Sequence, residues 1–262
     1  MCLTYVNNEQ IVVKESILDG SRDYWTTPGP KAQMFGRVTT YYKTNQVWFN
    51  EITKSDNGEL SVEGLKNPAF TITYADKGKG YLRGSVRVEL PTREDKLELI
   101  QQHYASEKRL IEELIKPTIG KAILASGPLI TSLESVSEKR NDLISYITDQ
   151  LNNGIYSTKA VTVERINSIT GEVERVQQAE IVKDTTAVDN IKRAEESPFD
   201  KYGLKVSQLS IADLDYEQAT NDQISRQRSA DMDIISAKAE AAKAQQQTIK
   251  ITEEGRQSAK LS

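Results

Sequence analysis

The chain carries one histidine, His103, and one cysteine, Cys2, and that scarcity bounds its chemistry. Any Ser-His-Asp or Cys-His arrangement has to be built around His103. The residue sits in a helical stretch, Gln101-Gln102-His103-Tyr104, and reads as a surface or partly buried side chain. A histidine-based metal centre normally needs a second histidine or cysteine ligand, and a lone cysteine excludes an internal disulfide and a thiolate cluster. The carboxylate pairs Glu112-Glu113 and Glu253-Glu254 are adjacent, so they splay apart around a helix instead of converging. Gly78-Lys79-Gly80 is too short to cradle a phosphate, and no Walker-type spacing follows it. The expectation is a protein without catalytic residues, cofactor or metal.

The elements that hold these residues divide the chain. Gln10 to Lys14 is a short strand, Thr27-Pro28-Gly29-Pro30 a turn or loop, and Val38 to Phe49 one or two strands. Asp56-Asn57-Gly58 marks a hairpin. Phe70–Tyr74 and Val86–Leu90 alternate apolar and polar residues around a break at Asp76 to Gly80. Residues 1–90 thus read as a mostly antiparallel β module.

Helices follow in residues 91–212. Thr92 is the expected cap of a helix that turns Leu97, Ile100 and Tyr104 inward. Leu110, Ile111, Leu114 and Ile115 form a second stripe, stopped or kinked at Pro117. Ile119, Ala122 and Ile123 form a third helix ended by Gly127-Pro128, and Leu143, Ile144, Ile147 and Leu151 a fourth ended by Asn152-Asn153-Gly154. A strand over Leu204–Ile211, led by the β-like Tyr202-Gly203-Leu204-Lys205-Val206, closes the unit. β-rich, then helical, then one strand is the order of an α+β fold.

An insertion occupies about 155–198. Ala160–Ile166 and Val173–Val182 flank Ser168-Ile169-Thr170-Gly171 and read as a β-hairpin. Thr185 to Glu196 is a candidate short helix that Ser197-Pro198 breaks. The hairpin is either a solvent-exposed excursion or a contact with a neighbouring subunit or partner.

From Leu204 to Glu254 there is neither glycine nor proline. Asp215 with Gln218 at the third position fits a helix start near Tyr216, and residues 213–262 read as one long helix. Ala230, Ile234, Ala237, Ala241 and Ala244 recur at the coiled-coil period. Alanine buries little area, at roughly 25 cal/mol per Å², yet it lets helix backbones approach closely. Packing of many copies in a larger assembly is the favoured expectation; a dimeric coiled coil and a solvated single helix are the alternatives.

The 262 residues are 37% hydrophobic with net charge −4, and the mean hydropathy is −0.54. No basic stripe with interleaved aromatics is present, which argues against nucleic acid as a partner. No window approaches the ~18 apolar residues of a membrane span, and no signal peptide opens the chain. The expected location is cytoplasmic or peripheral at a membrane, with no anchor visible in this chain.

Several short motifs, in this order, resemble the SPFH or band 7 superfamily of stomatin, prohibitin, flotillin and HflK/HflC. They are Gln10-Ile11-Val12-Val13 to Pro28-Gly29, Leu114-Ile115-Lys116-Pro117-Thr118-Ile119-Gly120, and Glu138-Lys139-Arg140 leading the helix to Leu151. Lys201-Tyr202-Gly203-Leu204-Lys205-Val206 with Ile211-Ala212-Asp213-Leu214 is the most specific, and the tail from Gln227 to Lys250 completes the set. The resemblance implies an SPFH domain followed by a long coiled-coil-type helix, assembled with itself into large rings or cages. Such assemblies enclose or organise membrane proteins, proteases among them. Some members are anchored by acyl chains on cysteines near the N-terminus, and Cys2 matches these by position only. One acyl chain gives marginal binding, so a second signal is needed; an unmodified thiol is the plainer reading. The competing functions are a structural coiled-coil assembly protein with no membrane role and an adaptor whose β module binds a client protein.

Overall fold

The computed structural model describes residues 3–55, 59–136, 139–166, 173–187 and 189–260. It is a mixed α+β chain with antiparallel sheets and a long C-terminal helix. Strands β1 (Leu3–Val6), β2 (Gln10–Ser16), β3 (Arg22–Trp25), β4 (Gly29–Ala32) and β5 (Gly36–Tyr42) come first. β2 is the centre of a three-stranded sheet, β3-β2-β5, while β1 and β4 pair in a ribbon of their own. The turn expected at Thr27 to Pro30 is therefore only half turn: Gly29 and Pro30 belong to β4, with Pro30 opposite Tyr5. In a two-stranded ribbon both strands are edges, which is where a strand tolerates proline's missing N–H.

β6 (Thr44–Phe49) follows after Lys43 and enters a different sheet. β7 (Thr53–Lys54) and β8 (Leu60–Ser61) pair antiparallel; the Asp56-Asn57-Gly58 turn expected between them lies outside the described residues. β9 (Phe70–Thr73) and the eleven-residue β10 (Lys79–Glu89) come next. The inward set Asn45, Val47 and Phe49 of β6 alternates with exposed residues, as a sheet with one solvated face requires.

α1 (Glu94–Tyr104) starts two residues later than its expected cap. Arg93, not Thr92, holds the cap position, with no side-chain bond to the helix. α2 (Glu107–Arg109), a π-helical stretch Leu110–Ile115, and α3 (Lys116–Ser126) then run on without a break. Pro117 does not stop this helix. It lacks the N–H that would bond four residues back, and its ring would crowd that carbonyl. The preceding turn widens instead, so Lys116 N–H reaches Ile111 O, the wider π pattern. A 3-10 turn, Gly127–Leu129, ends α3; α4 (Ser132–Val136) and α5 (Arg140–Asn153) follow.

β11 (Ile155–Tyr156), the paired arms β12 (Thr158–Ile166) and β13 (Val173–Ile181), and β14 (Arg193–Glu195) make up the insertion. Ser168 to Gly171, expected as the turn, lie outside the described residues. The helix expected over Thr185–Glu196 does not form. Asp184 and Asp189 accept hydrogen bonds from Thr186 N–H and Ile191 N–H at 2.9 and 3.1 Å, and such local turns compete with helix. Ser197-Pro198, expected to break a helix, begins α6 (Pro198–Tyr202): Ser197 accepts from Phe199 N–H and proline fills the first turn. Tyr202 thus ends a helix, and Gly203 turns the chain at φ 71°.

β15 (Lys205–Tyr216) is twelve residues long and is followed by α7 (Gln218–Lys260). This corrects both the strand expected to end at Ile211 and the helix expected from Tyr216. β15 carries two extra residues against β10, between the pairs Arg83↔Asp213 and Gly84↔Ile211, and between Arg87↔Gln208 and Val88↔Val206. Each extra residue is a bulge, so the inward positions Val206, Leu209, Ile211, Leu214 and Tyr216 fall at spacings of three and two. β10 is the spine of this sheet, with β15 on one side and β6 and β9 on the other. The outer edge of β15 is closed by α5. Asn152 Oδ1 accepts from Val206 N–H at 3.0 Å, and the Arg140 guanidinium donates to Ile211 O and Ala212 O at 3.0 and 3.2 Å.

One continuous core joins the β2 and β10 sheets with the helices other than α2, from Ile11 to Ile224. Phe49, Phe199, Ile115 and Ile123 are fully buried within it, and Tyr41 OH donates to Gln101 Oε1 across it at 2.7 Å. The insertion is rooted by Arg193, whose guanidinium donates to Asp149 Oδ2 at 2.7 Å and Gly154 O at 2.9 Å. The same group lies over the Tyr156 ring, 4.9 Å from its centroid.

Candidate functional site

The start of α7 is clamped to the body. Thr220 Oγ1 accepts from Lys79 N–H at 3.1 Å, Ile224 is buried, and Tyr216 OH lies 2.8 Å from Ser135 Oγ. Burial pushes the phenols of Tyr74 and Tyr216 up, and their rings pack 5.9 Å apart. Asp76 ties the facing loop together, accepting from Ser132 N–H and from Gly78 N–H. Gly78-Lys79-Gly80 therefore spends two of its amides on the protein's own groups.

Past this clamp the body ends. Gln227, Ala230 and Asp231 are half-buried, and every residue from Met232 to Thr252 is exposed. Within the stripe, Ala230 is partly covered, while Ile234 (40% exposed), Ala237, Ala241 and Ala244 are exposed among the described residues. The same spacing reaches Thr248 and Ile251, which the reading of the alanines alone missed. Ile251 is exposed too, as are Met232, Ile235 and Ile249 on neighbouring faces.

The scarce reactive residues do not gather. His103 Nδ1 lies 2.8 Å from Tyr202 OH, and its ring packs edge-on to Tyr104 and Tyr202. Glu112 and Glu113 each take a cation four residues away, Lys116 and Arg109. Glu253 and Glu254 lie in α7. Cys2 lies outside the described residues. Among the described residues no group of His, Cys, Asp and Glu could hold a metal ion, and no helix is long and apolar enough to cross a membrane.

Two surface features were not anticipated. One is an apolar groove of about 230 Å³ between Trp48, Phe49, Pro68, Phe70 and Pro117. The other is a set of large apolar side chains on turns of the first sheet: Ile17, Leu18, Met34 and Phe35. The available signal was apolar pairs placed directly against glycine, Ile17-Leu18-Asp19-Gly20 and Met34-Phe35-Gly36, where turns are ordinarily polar.

Residues 24–248 match the SPFH domain / Band 7 family, a span from β3 well into α7 that includes the insertion. Its members are generally membrane-associated scaffolds that self-oligomerise and are generally not enzymes. No curated protein matches the chain. With a match over most of its length, including the body and the helix that leaves it, the chain belongs to the SPFH domain / Band 7 family.

Proposed function

We propose that this chain is one subunit of a homo-oligomeric scaffold, a ring or cage, that organises or encloses membrane proteins and has no catalytic activity of its own. The observation that carries the reading is α7 beyond Ile224: a helix with an apolar stripe that is largely exposed among the described residues. Most helical stability in proteins comes from packing of an apolar face and not from propensity alone. Copies of α7 in parallel supply that packing. Ala230, Ile234, Ala237, Ala241, Ala244, Thr248 and Ile251 then form the seam, and the small alanines set a close helix approach. Asp233 and Lys238 flank this seam at positions where parallel neighbours exchange ion pairs. The distal part of the β12–β13 ribbon, which has two open strand edges, offers a further contact to the adjacent copy.

The test is the mass of the particle in solution, by light scattering behind a sizing column. The parent should run at many times the 29.4 kDa of the chain. Ala237→Glu with Ala241→Glu places like charges in a close, desolvated contact and should reduce it to a small species. A double variant with the parent's mass would show that the stripe is not an interface, and a parent of only two chains would replace the ring with a coiled-coil dimer.

A further inference from the structure

The β10 sheet is closed along one edge and open along the other. At one end β15 is covered by α5, through Asn152 Oδ1 and the Arg140 guanidinium. At the opposite end β6 is the last strand. Proteins ordinarily protect such an edge with lysine, proline, a bulge or a covering helix, because its unpaired N–H and C=O groups recruit other strands. β6, Thr44-Asn45-Gln46-Val47-Trp48-Phe49, has no charged residue and no proline. It runs against β10 from Thr44↔Glu89 to Phe49↔Gly84 without a bulge. Among the described residues no strand takes its outer side. The chain folds back only past its end, where Asn50 N–H and Glu51 N–H both reach Asn67 O. The groups left open can be named. Leu90 N–H donates to Lys43 O at 2.8 Å, so Lys43 is a bonded position of the ladder. Bonded positions alternate in an antiparallel pair, which turns the amides of Asn45, Val47 and Phe49 towards β10. The N–H and C=O of Thr44, Gln46 and Trp48 therefore point outward.

Trp48, 49% exposed on the solvated face of this sheet, stands between two recesses. On its edge side is the apolar groove of about 230 Å³, where Phe49 and Phe70 face Pro117 and Gly120 of α3. On its sheet side a polar recess of about 270 Å³ lies among Trp48, Gln46, Arg87 and Gln208, over the small residues Gly84 and Ser85. Gln46 Nε2 donates to Ser85 Oγ at 3.1 Å within it. Arg87 pairs in register with Gln46 on one side and Gln208 on the other. It is exposed and has no carboxylate partner among the described residues. Glu89, the next outward residue of β10, faces Lys205 across the same sheet. Lys116, at the apolar groove, is already paired with Glu112 at 2.9 Å. The uncompensated charge beside the open edge is thus the Arg87 cation.

We infer that β6 takes up an extended peptide segment of a partner protein as a further strand, one with an acidic residue three positions from a large apolar residue. The open amides of Thr44, Gln46 and Trp48 supply main-chain hydrogen bonds, and the two recesses select side chains, as in other cases of strand addition. Successive side chains of an added strand alternate between the two faces. The residue opposite Phe49 turns inward and fills the apolar groove. Its neighbour, opposite Trp48, packs on the indole. The residue opposite Gln46, three positions from the apolar one, turns outward and brings its carboxylate to Arg87 across the polar recess. A chain already folded into a helix offers no free N–H and C=O groups to this edge, so the occupant is extended. The site is formed by β6, β9, β10, β15 and α3 alone, so it stands whether or not α7 assembles.

The experiment follows the fluorescence anisotropy of two peptides with the full chain: fluorescein-Thr-Glu-Val-Thr-Phe-Thr-amide and the same residues in reverse order, because the edge accepts either strand direction. One of the two should bind the parent saturably. Gln46→Pro removes an outward N–H at an edge position, where a strand tolerates proline, and should weaken binding about tenfold. Gln46→Ala keeps that N–H and should bind as the parent does. Arg87→Glu should reject the acidic peptide and prefer its counterpart with lysine in place of glutamate. Circular dichroism and particle mass should match the parent in all three variants. If neither peptide saturates below about 1 mM, or if Gln46→Pro and Gln46→Ala bind alike, strand addition at β6 is overturned. A fall in particle mass in Gln46→Pro makes the edge a contact between copies and overturns the peptide site. Should Gln46→Pro disturb the fold, Arg87→Glu decides, and an unchanged charge preference there overturns the inference.

Discussion

The body and the free part of α7 obey different rules although one chain forms both. In the body, Phe49, Ile115, Ile123 and Phe199 are completely buried and the core is continuous from the first sheet to Ile224. Eleven residues later, Ile235 on the same helix is mostly exposed. The body is stable by its own packing, because each side chain that leaves water contributes roughly 1.5–3 kcal/mol. Among the described residues, distal α7 relies on helix propensity and local bonds, such as Thr248 Oγ1 to Ala244 O at 2.9 Å. Its apolar residues gain nothing until another surface arrives. The difference separates two kinds of importance: body residues decide whether the chain folds, and distal α7 residues, under the function proposed above, decide what it joins.

The largest break in this comparison is expected at Gly84, where β10 meets a bulge of β15. A Cβ there would overlap the Ser210 carbonyl oxygen and lie 3.1 Å from Phe49 Cε2. Neither strand can yield without opening the ladder that joins the body's first stretch to its last strand. Gly84→Ala should lower the body's stability by about 3–5 kcal/mol, combining overpacking with lost pairing. Guanidinium unfolding followed by circular dichroism reads this directly, and a change under about 1 kcal/mol would mean that β15 is not held as described.

A sharper version uses two isoleucines on one helix. Ile224→Ala removes a buried side chain and should cost about 2–3 kcal/mol. Ile235→Ala removes an exposed one and should change the body's unfolding midpoint by less than about 0.5 kcal/mol. Equal losses in the two variants, measured in the Ala237→Glu, Ala241→Glu background, would place the boundary of the body farther along α7.

Much of the body was legible because its signals are local. Strand alternation located β9 and the core of β10, a short apolar run located β2, and the glycine and proline stops located the ends of α3 and α5. What failed was geometry that sequence spacing imitates. The three-residue gaps from Val206 to Leu209 and from Ile211 to Leu214 resemble a chain leaving a strand for a helix. They are bulges, and the strand continues to Tyr216. Asp215 resembles a cap, yet Arg83 Nε reaches it at 2.5 Å from the neighbouring strand. Such a partner, far away in sequence, leaves no trace in local pattern. The alanine stripe was visible because periodicity alone defines it. The apolar turns of the first sheet were not, because what makes them notable is that two distant turns emerge together, where Ser16 pairs with Gly36.

A smaller loss than that of Ile224→Ala is expected where the body ends on its other side, at the root of the β12–β13 ribbon. If the ribbon belonged with distal α7, its root would matter little to folding; the geometry says otherwise. Arg193 is largely covered and holds Asp149, Asp189 and Gly154 O together. Desolvation pushes the Asp149 carboxyl up, but hydrogen bonds from Arg193, Tyr156 and Asn153 outweigh it and hold its pKa below the ordinary 3.8. A depressed carboxyl stabilises the fold fully above its ordinary pKa, and that contribution is lost as pH falls below 3.8 towards the folded value. Arg193→Met keeps the side chain's bulk over Tyr156 but removes the bonds, leaving Asp149 with desolvation and weaker partners. The variant should lose roughly 1.5–2 kcal/mol at neutral pH, the lower part of the range for a hydrogen bond to a charged group. The gap should narrow near pH 3, because parent and variant then both carry an increasingly protonated Asp149. Unfolding curves for the two proteins at both pH values measure it. A gap of the same size at both would remove Asp149 from the account, and no gap at either would move the ribbon's root out of the body.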